Sequence, residues 1–233
     1  MKTLRAIAPI ILCLVPALTA ADCAIANNEK EAEQSEQTQK PENPGFLKLP
    51  DEVQKIAKQA KRAFEGGKIK EAERLFEQAL EAQPDSVYLQ SNLGVVQFRL
   101  GKLEEAKASF QKALKMDPND PRSLRDIGIA YYSGGKYAGA IEHLTKSIAI
   151  NGKDAVAHNY LGIAYAQEGS MDKAEEELKT ALKLDPKYAD ACFNMSVVLA
   201  TKSPPEKAIA KKFYDKAISL GADADTAMEM LLK

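Results

Sequence analysis

The chain has little of what metal sites, disulfide frameworks and catalytic centres are built from. Only two histidines and three cysteines occur in 233 residues. His143 and His158 lie beyond helical reach of each other, and a structural zinc site needs four ligands. Three cysteines are too few for a disulfide framework. We therefore expect no metal, no cofactor and no catalytic residues, and we interpret the chain as non-enzymatic.

An excess of charge of one sign is also missing. The 32 Lys and Arg residues offset 33 Asp and Glu residues, which gives a formal net charge of -1, and the two signs are interleaved along the chain. A surface that binds nucleic acid or an anionic membrane normally carries a basic excess on one face. We expect neither partner for this chain.

Long apolar runs are confined to the first twenty residues. Lys2 and Arg5 precede AIAPIILCLVPALTA, and the polar stretch ADCAIANNEKEAEQ follows it. A charged start, a short apolar core and small residues at the end are typical of a secretory signal. With Pro9 and Pro16 inside it, the core is short for a helix that must span about 30 Å of hydrocarbon. We predict a signal peptide over residues 1–20.

Export is the consequence of that signal. Cleavage after Ala20 or Ala21 predicts a periplasmic or secreted protein with no membrane span after processing. Two alternatives keep the chain at a membrane: retention of the uncleaved segment as an anchor, and lipidation of Cys23. Asp22 disfavours lipidation, because it stands where lipoprotein signals carry a small residue.

Residues 21–50 have a different composition from the rest of the chain. The stretch from residue 24 to residue 44 is rich in Glu, Gln, Asn, Lys and Pro, and Ile25 is its only large apolar residue. Such a segment buries too little apolar surface to offset its ordering entropy. We predict a flexible polar linker over residues 21–50.

A 34-residue period runs through the remaining sequence. LGVVQFRLGKLEEA begins at residue 93, IGIAYYSGGKYAGA at 127 and LGIAYAQEGSMDKA at 161. The recurring positions are a small residue (Ala60, Gly94, Gly128, Gly162, Ser196), a turn glycine (Gly67, Gly101, Gly135, Gly169), an alanine (Ala72, Ala106, Ala140, Ala174) and a terminal Pro or Gly (Pro84, Pro118, Gly152, Pro186).

Each recurring position has a steric reason. The small residue and the alanine let two antiparallel helices approach closely, the glycine turns the chain, and the terminal Pro or Gly stops the second helix. Apolar residues at spacings of three and four mark a buried face. The pattern predicts an all-α solenoid of about five helical hairpins over residues 51–233. Their approximate bounds are 53–86, 87–120, 121–154, 155–188 and 189–224, and a capping helix follows at 225–233.

Helix starts are also marked in the sequence. Asp85, Asp120 and Asp154 precede first helices and are suited to cap their free N–H groups. The fifth hairpin carries two inserted residues in TKSPPEKA, where Ser203 and Glu206 form a capping-box pattern that predicts a helix start.

The repeat resembles the tetratricopeptide repeat family. The likeness is carried by NLGVVQFRLGKLEEAKASFQKALKMDP, IGIAYYSGGKYAGAIEHL and LGIAYAQEGSMDKAEEELKTALKLDP, and it covers about residues 53–222. Gln59 and Ala60 depart from the Leu-Gly that the family prefers, Gly152 replaces the usual Pro, and the chain has no Trp. The resemblance implies a right-handed α-solenoid whose first helices line a concave groove that binds a peptide.

Candidate groove residues follow from the resemblance, position by position. They are Lys61, Tyr88, Ser91, Asn92, Val95, Phe98, Arg99, Arg122, Arg125, Ile129, Tyr132, Asn159, Tyr160, Ile163, Phe193, Asn194 and Val197. Their mixture of apolar and hydrogen-bonding side chains suits an extended or helical peptide with apolar anchors.

The sequence therefore predicts a non-catalytic scaffold or adaptor of the cell envelope that binds a protein or peptide partner in this groove. One alternative is self-association as a homodimer or larger assembly, in which the groove buries against another copy or against the FLKLP segment at 46–50. A second alternative is an accessory subunit of an envelope enzyme complex. Fold alone does not name the partner.

Overall fold

The structure is a computed structural model that describes residues 44–233. In that range the chain forms twelve helices and no strand, which confirms the all-α prediction. The predicted signal peptide and the linker up to residue 43 lie outside the described residues. The described residues divide into two compact units, 44–134 and 135–233.

The first unit contains six of these helices. They are α1 (Pro44–Leu47), α2 (Asp51–Glu65), α3 (Ile69–Ala82), α4 (Val87–Arg99), α5 (Leu103–Met116) and α6 (Pro121–Ser133). Helices α2 and α3 form one hairpin, and α4 and α5 form the next. Stacking brings α3 against α4 and α5 against α6.

The second unit contains the other six described helices. They are α7 (Tyr137–Ile150), α8 (Ala155–Gln167), α9 (Met171–Leu184), α10 (Ala189–Thr201), α11 (Lys207–Ser219) and α12 (Thr226–Leu231). Helices α8 and α9 form one hairpin, and α10 and α11 form the next. The short helix α12 closes the end of the stack, because Met228 is fully buried in the same cluster as Tyr214.

Small residues set the distance between the helices of a hairpin. A Cβ atom added to Gly94 would lie 2.6 Å from Cε1 of Phe110 on the paired helix, well inside van der Waals contact. The turn between the same two helices has Gly101 at a φ of 74°, a conformation that side-chain-bearing residues rarely adopt. The recurring small residues and turn glycines thus have the roles that the sequence pattern predicts for them.

Two of the three predicted aspartate caps are present. Asp120 accepts a hydrogen bond from the Ser123 N–H at 2.8 Å, and Asp154 accepts one from the Ala157 N–H at 3.0 Å. The third prediction is wrong by one residue. Ser86 caps α4, its Oγ accepting from an N–H of the first turn at 3.2 Å, because Ser is as good a cap as the Asp85 before it.

The predicted capping box at Ser203 is also wrong. Helix α11 begins at Lys207 after the N-cap Glu206, which makes no side-chain capping bond. The Glu206 carboxylate instead pairs with Lys202 Nζ, and Lys202 also reaches Glu175 of α9 at 2.8 Å. These two hydrogen bonds raise the pKa of Lys202. The charge-assisted hydrogen bond to Lys202 is stronger than a capping bond to a backbone N–H, so the Glu206 carboxylate pairs with Lys202 and does not cap α11.

The last residues of the predicted linker are not a solvated tether. Residues 44–47 form α1, and Phe46 and Leu49 are only 5% and 6% exposed. They belong to the core cluster of the first two hairpins. The reason is hydrophobic: these are large apolar side chains, and α2 and α4 provide a surface on which to bury them.

Candidate partner-binding surfaces

The predicted groove residues differ widely in exposure. Two are exposed: Lys61 and Arg122. Nine are half-buried: Tyr88, Asn92, Val95, Phe98, Arg99, Arg125, Phe193, Asn194 and Val197. Six are buried: Ser91, Ile129, Tyr132, Asn159, Tyr160 and Ile163.

The buried aliphatic residues are core residues, which corrects part of the groove prediction. Ile129 and Ile163 are 1% and 5% exposed, so a partner cannot reach them without repacking the protein. Val95 and Val197, in the same position of other repeats, stay half-buried. An aliphatic side chain serves a packed core and a binding face equally well, so the residue type did not separate the two.

One half-exposed surface lies on α4 in the first unit. We define the α4 surface as Tyr88, Asn92, Val95, Phe98 and Arg99, whose spacing places them along one side of the helix. Val95 and Phe98 pack partly against the core cluster of α5 and α6. The Asn92 side-chain amide donates to the Tyr88 carbonyl at 2.7 Å. The surface therefore combines apolar side chains that the core keeps in place with an amide that a hydrogen bond keeps in place.

Polar contacts between α4 and α6 fix this region. Ser91 Oγ lies 2.8 Å from Ser123 Oγ, and both side chains are buried. On α6, Arg125 forms a two-nitrogen pair with the buried Asp126 carboxylate, with distances of 2.9 Å from Nε and 2.8 Å from Nη2 to Oδ1. A paired guanidinium offsets the cost of burying the carboxylate. The Ser91–Ser123 contact thus joins α4 to α6 behind the surface.

A second half-exposed surface lies on α10 in the second unit. We define the α10 surface as Phe193, Asn194 and Val197. The Asn194 amide donates to Asn159 Oδ1 on α8 at 2.9 Å, and Asn159 donates to the Tyr188 hydroxyl at 3.4 Å. The Phe193 ring lies 6.1 Å from the ring of Tyr214. Buried Asn159 therefore positions an amide of the α10 surface.

His158 on α8 has a hydrogen-bond acceptor at each ring nitrogen. Nδ1 lies 2.6 Å from Glu177 Oε2 on α9, and Nε2 lies 3.3 Å from the Gly152 carbonyl. Burial disfavours the charged ring, but the hydrogen bonds to Glu177 and Gly152 outweigh it and raise the pKa of His158. Two acceptors favour the imidazolium, because only the protonated ring can donate from both nitrogens.

This geometry predicts pH-dependent stability. Because the folded pKa of His158 is raised above its unfolded value of about 6.5, the stabilisation is complete below that value and is lost as the pH rises through the folded pKa. An NMR titration of the imidazole protons should give a pKa above the unfolded value, and Glu177→Gln should lower it. A wild-type pKa at or below the unfolded value would contradict the assignment. His143, whose pKa burial lowers, serves as the internal reference.

Other chemistry is not supported by the described part of the chain. Between residues 44 and 233, no cluster of three or more His, Cys, Asp or Glu side chains is arranged to hold a metal ion. Cys192 is buried, and burial raises the pKa of its thiol, which makes it a poor nucleophile. None of the helices in this range is long and apolar enough to cross a membrane.

Comparison with protein families gives matches over the repeats. Two models described as tetratricopeptide repeat match the sequence, one over residues 57–121 and 92–155 and the other over residues 131–192. Together they span more than half of the chain. Among curated proteins, none matches it.

Solved structures with the same fold include three from different sources. PilF of Pseudomonas aeruginosa has a TM-score of 0.69 at 20% identity, over 77% of this chain and 80% of that chain. MamA from Desulfovibrio magneticus RS-1 has a TM-score of 0.63 at 22% identity, over 74% and 96%. YrrB, described as a TPR protein with an unusual peptide-binding site, has a TM-score of 0.57 at 25% identity, over 76% and 88%.

Proposed function

The chain belongs to the tetratricopeptide repeat family, and from that premise we propose that it is a non-catalytic scaffold of the cell envelope that binds a segment of a partner protein. The observation that carries the proposal is the α4 surface, where Tyr88, Val95 and Phe98 remain partly exposed next to the Asn92 amide. Apolar anchors beside a hydrogen-bonding group are what peptide-binding grooves provide. The peptide-binding site of YrrB, a structural relative, supports the same use of the fold.

The chemistry of the α4 surface indicates which kinds of side chain the partner segment carries. Val95 and Phe98 offer area for one or two large apolar side chains, and their partial packing on the core keeps them in place. The partner segment is therefore apolar at its centre.

Export is the second part of the proposal, and it rests on the N-terminal sequence. The charged start, the apolar run and the small residues before residue 22 support a signal peptide. N-terminal sequencing of the protein from its native cells should begin at residue 21 or 22. A chain that starts at Met1 would favour the retained anchor, and one that starts at a modified Cys23 would favour a lipoprotein.

Charge placed on the α4 surface should abolish partner capture. In a crosslinking pull-down from native cell-envelope extract, wild type should retain a defined partner. The variant Val95→Glu plus Phe98→Glu should capture at least tenfold less of that partner, because binding would remove two new carboxylates from water. Circular dichroism first confirms that both proteins are helical.

The matched control is Ala108→Glu plus Gln111→Glu. These residues are exposed on α5, three apart as Val95 and Phe98 are, and the control adds the same negative charge. It should capture the partner as wild type does. Equal capture by all three proteins would rule out the α4 surface. If the captured protein is another copy of the chain, self-association is the function.

A further inference from the structure

A segment of the chain itself lies on the first unit next to the α4 surface. We call residues 44–50, PGFLKLP, the strap. Phe46 and Leu49 are buried, whereas Leu47 between them is 57% exposed. The Phe46 ring meets the Tyr88 ring edge-on with centroids 5.6 Å apart, and Lys58 Nζ lies 5.1 Å from the centroid of the Phe46 ring.

The strap lies against positions that the repeat pattern predicts to line the groove. Tyr88 is a member of the α4 surface, and Lys58 on α2 stands one 34-residue step before Asn92, another member. Phe46 thus contacts predicted groove positions of two successive hairpins. Its helical turn is closed by the Leu49 N–H, which donates to the Phe46 carbonyl at 3.0 Å. The Gln54 amide of α2 then donates to the Leu49 carbonyl at 2.8 Å.

These contacts have the form of a bound peptide. One helical turn presents two apolar anchors three residues apart, the Phe46 ring meets the Tyr88 ring edge-on, and a side-chain amide donates to the backbone of the turn. The remaining side chains of the turn, Leu47 and Lys48, point to solvent. The strap therefore shows which ligand chemistry this part of the first unit accepts.

We propose that the strap is the chain's own copy of the partner motif: the groove recognises a helical turn with Phe and Leu at positions i and i+3, and the strap holds the site until such a segment displaces it. This inference rests on the proposed function and specifies its ligand. A tethered ligand acts at an effective concentration on the order of millimolar, so a free partner segment must compete with it. Loss of the strap contact should therefore strengthen the binding of an added peptide.

The test uses a fluorescently labelled peptide of sequence PGFLKLP and fluorescence polarisation. Phe46→Ala, which removes the aromatic anchor of the strap and weakens its hold on the site, should bind the peptide at least tenfold more tightly than wild type does. Adding Tyr88→Ala should remove that gain, and a peptide with Ala in place of its Phe should not bind. Leu47→Ala, a change at an exposed residue of the strap, is the matched control and should behave as wild type does.

Two outcomes would overturn the inference. One is a folded Phe46→Ala protein that binds the peptide no better than wild type, and the other is binding that persists after Tyr88→Ala. Should Phe46→Ala lose its helical circular dichroism signal, Phe46→Leu keeps an apolar side chain but loses the ring contact, and the same comparison applies. Partner capture by the Val95 and Phe98 variants is a separate readout, so failure of the strap and failure of the scaffold function remain distinguishable.

Discussion

Gly162→Val is expected to lower the free energy of unfolding by about 3 kcal/mol, because it forces a side chain between two packed helices. A Cβ atom at residue 162 would lie 2.8 Å from Leu178 Cγ and 3.1 Å from the backbone carbonyl oxygen of Ala174 on α9. Neither atom is the free end of a flexible side chain, so α8 and α9 must move apart. Urea denaturation followed by circular dichroism gives the change directly.

Gly152→Ala is the control for this substitution. Gly152 is exposed, and an added Cβ would meet only the Ile148 carbonyl oxygen at 3.5 Å, an ordinary contact. Its free energy of unfolding should stay within about 0.5 kcal/mol of wild type. If Gly162→Val were as well tolerated as Gly152→Ala, close approach of the paired helices would not be what the repeated small residue provides.

Phe110→Ala is expected to cost about 4 kcal/mol of unfolding free energy. Its side chain is 1% exposed and lies directly over Gly94, so truncation leaves a cavity in the cluster shared by α5 and α6. Thermal and urea unfolding should both shift strongly. The protein that remains folded should still bind the partner, but more weakly than wild type, because Val95 and Phe98 pack against the cluster that contains Phe110.

Phe98→Ala should cost less stability than Phe110→Ala but should weaken partner capture more. Phe98 is half-buried at the edge of the same cluster, so its loss should cost less than about 1.5 kcal/mol of stability, in proportion to the smaller area that it buries. Partner capture should fall, because a half-exposed ring of the α4 surface is gone. Equal stability losses for the two phenylalanines would contradict the assignment of one to the core and the other to the binding surface.

The hairpin repeat could be predicted from sequence because its requirements are local and steric. Gly94 must be small where Phe110 packs on it, and Gly101 must turn the chain at positive φ. Both requirements recur every 34 residues, so the same residue types appear several times at fixed positions in this sequence. The helix caps were almost as predictable from the sequence. The prediction of Asp85 as the cap of α4 was wrong only because Ser86 next to it is an equally good cap.

The binding surface was less predictable, because it depends on which side chains the packing leaves exposed. Ile129 and Ile163 carry the same residue type as accessible groove positions but are buried. The burial of Phe46 depended on α2 and α4, which lie later in the chain than the polar stretch in which it occurs. The Ser203 capping box failed for a similar reason, since Lys202 pairs with Glu206 through charge.

Site-specific photocrosslinking can show whether a partner segment binds at the α4 surface. A photoreactive phenylalanine analogue is placed at position 95 on α4 or, as the control, at exposed position 108 on α5, and cells or envelope extract are irradiated. Position 95 should give a covalent adduct with one partner protein, and position 108 should give none. Adducts from position 108 alone, or equally from both positions, would show that the partner binds elsewhere.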